Sequence, residues 1–367
     1  MNPDLLYQLA LTITPNIGCV VAKNLVEQMG SASAIYKAKE STLSKLDGIG
    51  SVRAKSIKSF SNFDRCETEL AFIEKYKIKT LFLTDAAYPK RLLQCYDSPT
   101  LLFFKGEADL NVSRSVSIIG TRNHTEYGKS FTEKFIKELS AENISIISGL
   151  AFGIDSIAHK AALKNDLPTI AVMAHGMDTI YPPENASLAK QMISEGGGLL
   201  TEFMSGSKPD KHNFPTRNRI VAGMTDSTVV IETDVKGGSM ITATLANGYN
   251  RDVFAVPGKT TDIKSKGCNT LIKQNKAALI SSAQDFLEMM NWLPVQEKKK
   301  RIQRQLFIEM TPEEKIISDI LNGIEQMSID DLYFKSGLSS SSAAGALLSL
   351  ELQGIVQSLP GKIYKLA

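Results

Sequence analysis

Several protein classes are excluded by what the sequence does not contain. Its four cysteines, Cys19, Cys66, Cys95 and Cys268, stand far apart with no C-x-x-C pair. That spacing excludes a zinc ribbon or a thioredoxin-type redox centre, and the residues read as buried thiols of a reducing, cytoplasmic compartment. No run of 18 or more apolar residues occurs, and Asp4 stands where a secretory signal would be basic. A soluble chain without a membrane partner is expected. The four histidines, His124, His159, His175 and His212, have no metal-ligand spacing, so no metal is expected. Asp155 and His159, at i and i+4, read as a hydrogen-bonded pair on one helix face.

Charge of one sign is missing too. Lys+Arg 42 against Asp+Glu 39 leaves a net +3, which is not the balance of a protein that coats nucleic acid. By segment the average hides differences. Residues 1–100 hold 13 basic and 10 acidic side chains, 101–294 hold 20 and 20, 295–310 hold 5 and 2, and 311–367 hold 4 and 7. With 367 residues and 43% hydrophobic content, two or three domains with their own cores are expected, not a disordered chain.

Within 1–65 a glycine-containing turn followed by a short helix occurs twice, at 14–18 leading into 22–29 and at 46–50 leading into 53–60. The pair reads as a tandem helix-hairpin-helix, SAM-like domain. Such turns let helix N-terminal amides approach a phosphate, though each could equally be an ordinary glycine-capped turn. From 66 to 294, β-branched runs at 116–119, 144–147, 169–173, 199–201, 228–231, 253–256 and 278–280 alternate with helical patterns. Runs without polar alternation imply a parallel sheet covered on both faces, an α/β doubly wound, Rossmann-like domain. Runs at 80–84 and 100–105 read as strands that extend or flank it. Residues 295–310, basic and polar, read as a linker. In 311–367 the order helix, helix, helix, strand, strand suggests a winged helix, whose acidic balance points to a protein partner instead of a phosphate backbone.

In an open parallel sheet ligands bind beyond the strands' carboxyl ends. The loops expected there are rich in glycine and polar groups: Gly120-Thr121-Arg122, Ser148-Gly149 with Phe152-Gly153, His175–Asn185, the stretch with Phe214, Arg217, Asn218 and Arg219, and Gly237-Gly238-Ser239. Several phosphate-competent loops on one edge suit an elongated anion, and Phe152, Tyr181 and Phe214 suit either base stacking or core packing. Gly128-Lys129-Ser130 and Gly258-Lys259-Thr260 look like the end of a phosphate-binding loop. The leading glycine of that motif would fall at Asn123 and Val253, so neither is one. No G-x-G-x-x-G follows the first parallel strand, which disfavours a dinucleotide cofactor, and no cofactor is expected.

At these loops the sequence resembles the DNA-processing protein A (DprA/Smf) family. The matching stretches are SIIGTR (117–122), SGLAFGIDSIAHKAAL (148–163), MDTIYPPEN (177–185), TEF (201–203), NFPTRNRIVAGMTD (213–226), KGGSMITATLA (236–246), RDVFAVPG (251–258) and GCNTLI (267–272). The resemblance implies a non-enzymatic protein that binds single-stranded DNA along the glycine-rich edge and forms a homodimer through this domain. It also implies loading of RecA recombinase onto incoming DNA during natural transformation. Carried over by position, Arg122 contacts phosphate, and Arg217, Asn218 and Arg219 shape or contact the same groove. The place after the Tyr-Pro pair, basic in some members, is Pro183 here, which leaves that contact to Lys208, Lys211 or His212. The alternatives are a related nucleotide phosphoribohydrolase, whose G-G-x-G-T-x-x-E motif is incomplete at 237–242, and a nucleotide-sensing scaffold.

Overall fold

The computed structural model describes residues 3–293, 310–359 and 361–366. The chain forms two compact units, Met1–Leu293 and Pro294–Ala367. Apart from Met310, the basic stretch read as a linker lies outside the described residues.

The larger unit opens with six helices, α1 (Leu5–Ile13), α2 (Cys19–Met29), α3 (Ala32–Lys37), α4 (Glu40–Leu43), α5 (Gly50–Lys58) and α6 (Phe63–Tyr76). The two glycine turns precede α2 and α5, as the repeat implied. Gly48 and Gly50 take positive φ, +71° and +65°, which a side chain at Cβ disfavours. Tyr7, Tyr36, Phe60 and Phe63 pack largely edge-to-face with centroids 5.0 to 6.1 Å apart, each such pair adding roughly 0.5–1.5 kcal/mol beyond burial. The helices share one core with Phe82, Leu101 and Phe103 of the sheet. The boundary expected at residue 65 falls inside α6, because this helix uses one face to close the helical region and continues toward the sheet.

The sheet has nine strands: β1 (Lys79–Phe82), β2 (Leu101–Gly106), β3 (Ser115–Ile119), β4 (Ser145–Ser148), β5 (Thr169–Val172), β6 (Gly198–Thr201), β7 (Ser227–Val230), β8 (Asp252–Ala255) and β9 (Ala278–Leu279). Their spatial order is β1-β2-β6-β5-β4-β3-β7-β8-β9. Strands β3 to β9 run parallel, whereas β2 pairs antiparallel with β6 and β1 antiparallel with β2. Between the strands lie α7 (Lys90–Leu93), α8 (Glu126–Leu139), α9 (Ile154–Lys164), α10 (Ala186–Ser194), α11 (Asn213–Gly223), α12 (Gly238–Gly248), α13 (Ile263–Lys273) and α14 (Ala283–Met289).

Side chains alternate across a strand, so each strand feeds two cores. Ile119, Ile147, Val172 and Val230 meet Leu92, Ile220, Val221, Ala243 and Leu271 on one face. Val116, Ile118, Ile146 and Val229 meet Phe135, Ile136, Ala158 and Phe286 on the other. This is the doubly wound three-layer arrangement that uninterrupted apolar strands require. The chain winds outward from β3 to β6 and then returns to place β7 on the other side of β3. The switch point therefore lies between β3 and β7, which the rule for open sheets marks as the ligand crevice.

The smaller unit has α15 (Pro312–Leu321), β10 (Met327–Ser328), α16 (Ile329–Ser336), α17 (Ser340–Leu352), β11 (Val356–Leu359) and β12 (Ile363–Leu366), with sheet order β10-β12-β11. A capping box between Thr311 and Glu314, with Pro312 at the first helical position, starts α15. The order of elements is that of a winged helix.

Candidate functional site

Beyond the carboxyl ends of β3, β4 and β7 the loops enclose a cavity of about 340 Å³. The turn after β3 supplies Gly120, Thr121 and Arg122. Its backbone is fixed at two points: the Thr121 amide donates to the Glu232 carbonyl at 2.7 Å, and the Thr121 carbonyl accepts from Ile154 N at 3.2 Å. A Cβ on Gly153 would lie 2.3 Å from that carbonyl and 2.5 Å from the Arg122 carbonyl, and φ there is +76°. Glycine thus lets α9 begin against the turn that presents Arg122. Glu232 anchors the other end of the turn, accepting from Thr125 N at 2.9 Å and from the Thr125 hydroxyl.

The N-termini of α9 and α12 both open on this cavity, through Gly149, Ala151 and Asp155 on one side and Gly237, Gly238 and Ser239 on the other. Neither helix has a side-chain cap. On the α9 side the Gly149 and Ile154 amides are already taken by Asp155 and the Thr121 carbonyl, so it is the uncapped start of α12, at Gly238 and Ser239, that suits the cavity to an anion. The Arg122 side chain is exposed, and among the described residues it has no ion-pair partner. Its guanidinium lies over the Phe214 ring at 5.2 Å.

A more open groove of about 470 Å³ adjoins the cavity and shares Arg122, Phe214, Asn218 and Gly238 with it. Tyr181, Lys211, Pro215 and Ile241 flank it. Tyr181 is 40% exposed, with its ring 6.0 Å from Phe214. The inner cavity therefore offers backbone donors, and the outer groove offers aromatic faces and a lysine.

Other expected site residues take supporting places. Ser148 is buried, and its hydroxyl donates to the Ile118 carbonyl at 2.6 Å, so it ties β4 to β3. Arg217 is 5% exposed. It donates to the Gly149 carbonyl at 2.6 Å, to the Val172 carbonyl and, from Nε, to Asn218 Oδ1 at 3.2 Å. Gly149 lies so close that a Cβ there would come within 2.2 Å of the guanidinium. Burial pulls Arg217 down to about 10, opposed by the Asp155 charge and aided by Arg122, so it stays charged at neutral pH. Arg219, 8% exposed, points away from the cavity to Glu202 and the Asp97 carbonyl. Phe152, 42% exposed, and Lys208, also exposed, border the region but line neither hollow.

The expected Asp155–His159 hydrogen bond does not form. Asp155 accepts from Gly149 N at 3.1 Å, and burial raises its carboxyl above the usual range against the pull of Arg217. His159 Nδ1 instead meets Thr169 Oγ1 at 2.7 Å. The Thr169 hydroxyl donates to the Ile146 carbonyl at 2.9 Å, so Nδ1 carries the proton and the buried Nε2 has no partner among the described residues.

Burial lowers His159 to about 3, and the Arg217 charge adds to the effect. In the unfolded chain it titrates near 6.5. Its contribution to stability is thus complete above pH 6.5 and is lost as pH falls toward 3. Between pH 7 and 5 this one group should cost about 2 kcal/mol of unfolding free energy, measured by urea titration at each pH. His159→Gln should flatten that slope; an unchanged slope would remove His159 as its source.

Thr233, Asp234 and Thr242 also line the cavity and were not singled out in the sequence. Thr233 and Asp234 follow β7 on the same edge, so their place after a strand run was the available signal. Three of the four cysteines are buried and Cys19 is half-buried. Burial pushes the Cys268 thiol up to about 12. No helix among the described residues is long and apolar enough to cross a membrane.

Three regions match known families. Residues 79–291 match DNA recombination-mediator protein A, residues 308–362 the DprA winged helix domain, and residues 6–68 the helix-hairpin-helix motif. Protein Smf of Synechocystis is 32% identical over 399 residues, covering 99% of each chain. DNA processing protein A (DprA) from Streptococcus pneumoniae superposes with a TM-score of 0.67 at 32% identity, covering 77% of this chain and 97% of that one. DNA processing protein A from Helicobacter pylori, whose structure concerns its single-stranded DNA binding mode, gives 0.53 at 32% identity, covering 59% and 96%. With more than half of its length matched to one family and a relative similar from end to end, the chain belongs to the DNA recombination-mediator protein A (DprA/Smf) family.

Proposed function

We propose that the protein binds single-stranded DNA along the carboxyl edge of its sheet, as a non-enzymatic DNA-processing factor. The observation that carries this reading is the continuity of two unlike hollows. A cavity onto which the uncapped start of α12 opens leads into a groove with stacking faces and Lys211, and Arg122, without an ion-pair partner among the described residues, stands where they meet. Phosphate contacts fix a strand in place, and aromatic faces take any base, so the combination favours length over sequence. The binding mode named for the Helicobacter pylori relative supports the same ligand.

In this reading Gly120, Thr121, Gly149, Gly237, Gly238 and Ser239 offer close backbone approach. Arg122, Lys208 and Lys211 meet phosphates, and Phe214 stacks with a base. Arg217 and Ser148 hold the edge rigid. The family further supports a cytoplasmic homodimer that hands incoming DNA to RecA during transformation.

The test is a titration of oligo-dT of increasing length alongside thymidine monophosphate. Affinity should rise steeply with length, since each added contact is made at high effective concentration. Saturable mononucleotide binding without length dependence would favour a nucleotide sensor, and release of free base would favour a phosphoribohydrolase.

A further inference from the structure

A buried carboxylate on the N-terminal helices spends its hydrogen bonds on the loop that leads into the groove. Glu69 of α6 is 1% exposed. Its two oxygens accept the Ser205 amide at 3.0 and 3.1 Å, and Oε2 also accepts the Ser205 hydroxyl at 2.5 Å. Arg65, one turn earlier, donates to Glu69 Oε2 at 2.9 Å and to the Ser205 carbonyl at 2.5 Å. All three polar groups of Ser205 are therefore held by α6.

The residues that follow are held from the opposite side. Gly206 N donates to Asp178 Oδ1 at 2.9 Å, and Gly176 N donates to the Ser207 carbonyl at 3.0 Å. The chain leaves these holds at the exposed Lys208 and reaches Lys211, on the rim of the outer groove, before α11 begins. A buried carboxylate is costly unless it is fully hydrogen-bonded. Apart from its pair with Arg65, Glu69 meets that requirement through one residue of the loop.

We propose that Glu69 is a positioning residue for the DNA-facing loop 202–212: by fixing Ser205 it sets where Lys208 and Lys211 stand before DNA arrives. This rests on the reading of the groove as a single-strand site. Fixing the loop in advance removes the ordering cost that binding would otherwise carry. The helical region then contributes to DNA affinity without touching DNA.

The experiment uses the full chain as wild type, Glu69→Ala, Glu69→Gln, the double variant Lys208→Ala/Lys211→Ala, and the double variant combined with Glu69→Ala. Glu69→Ala should speed hydrogen exchange at the Ser205 and Gly206 amides of the free protein. It should also weaken oligo-dT binding by about five- to tenfold and lower the salt slope by up to about 1.4, at roughly 0.7 per phosphate contact. Glu69→Gln keeps an acceptor for the Ser205 amide and should recover part of the loss. In the lysine-free background Glu69→Ala should cost no further affinity. Unchanged exchange at Ser205, or an equal loss in both backgrounds, would overturn the positioning role while wild-type binding stands. Failure of the wild type itself to bind oligo-dT would bring down the single-strand reading and this role with it.

Discussion

Arg217→Ala is expected to destabilise the larger unit by about 3–5 kcal/mol, the usual cost of removing one partner from a buried charged network. The guanidinium satisfies the carbonyls of Gly149 and Val172, at the ends of two adjacent strands, and its charge offsets that of the buried Asp155. Without it two carbonyls and a carboxylate are left in a site that Gly149 has shaped to the guanidinium. Arg217→Lys should recover little, because a single ammonium cannot reproduce the fork. Thermal unfolding should show a drop on the order of 10 °C, with DNA affinity falling only in step with the folded fraction. A variant that melts like the wild type but binds oligo-dT poorly would show that Arg217 reaches the ligand after all.

Arg122→Ala should do the reverse. Its side chain is exposed and lies over the Phe214 face, so stability should stay within about 0.5 kcal/mol of wild type. A charge-assisted phosphate contact is worth about 1.5–3 kcal/mol, so oligo-dT affinity should fall by roughly 10- to 100-fold and the salt slope by about 0.7. Arg122→Lys should keep the slope but lose affinity, since the bidentate geometry goes with the guanidinium. Equal binding and slope in wild type and Arg122→Ala would remove Arg122 from the interface. In the proposed reading the three arginines separate into Arg122, which would meet the ligand, and Arg217 and Arg219, whose guanidinium groups are taken up within the fold.

That separation was only partly legible in the sequence. The parallel strands were, because a strand buried on both faces must be apolar without alternation, and every run from 116 to 280 became one. The place of β1 and β2 was not, since antiparallel pairing with β6 depends on contacts across about a hundred residues of chain. The edge itself was legible from glycine after strand ends. The direction of α11 follows from its own periodicity. At 3.6 residues per turn Phe214, Arg217, Asn218 and Val221 share one face, and Arg219 falls outside it. All four of those lining residues reach the inner cavity, whereas Arg219 meets Glu202. The i,i+4 spacing of Arg65 and Glu69 marks an ion pair on α6, but nothing local links Glu69 to Ser205, 136 residues away.

The winding of the sheet also bears on the order in which the molecule is made. The crevice is closed by β3 and β7, whose register joins Val116 to Ser227 and Ile119 to Val230. A chain emerging from the ribosome would complete β3 to β6 with one flank of β3 still an unpaired edge. The Arg122 turn would already have its contact with α9, but the Glu232 groups that secure it and the α12 start that faces it would not yet exist. Closing so distant a pair is a slow step. The nascent protein therefore gains its ligand edge only when the second half of the domain has been synthesised, and the feature that marks the crevice also delays its function until the fold is whole.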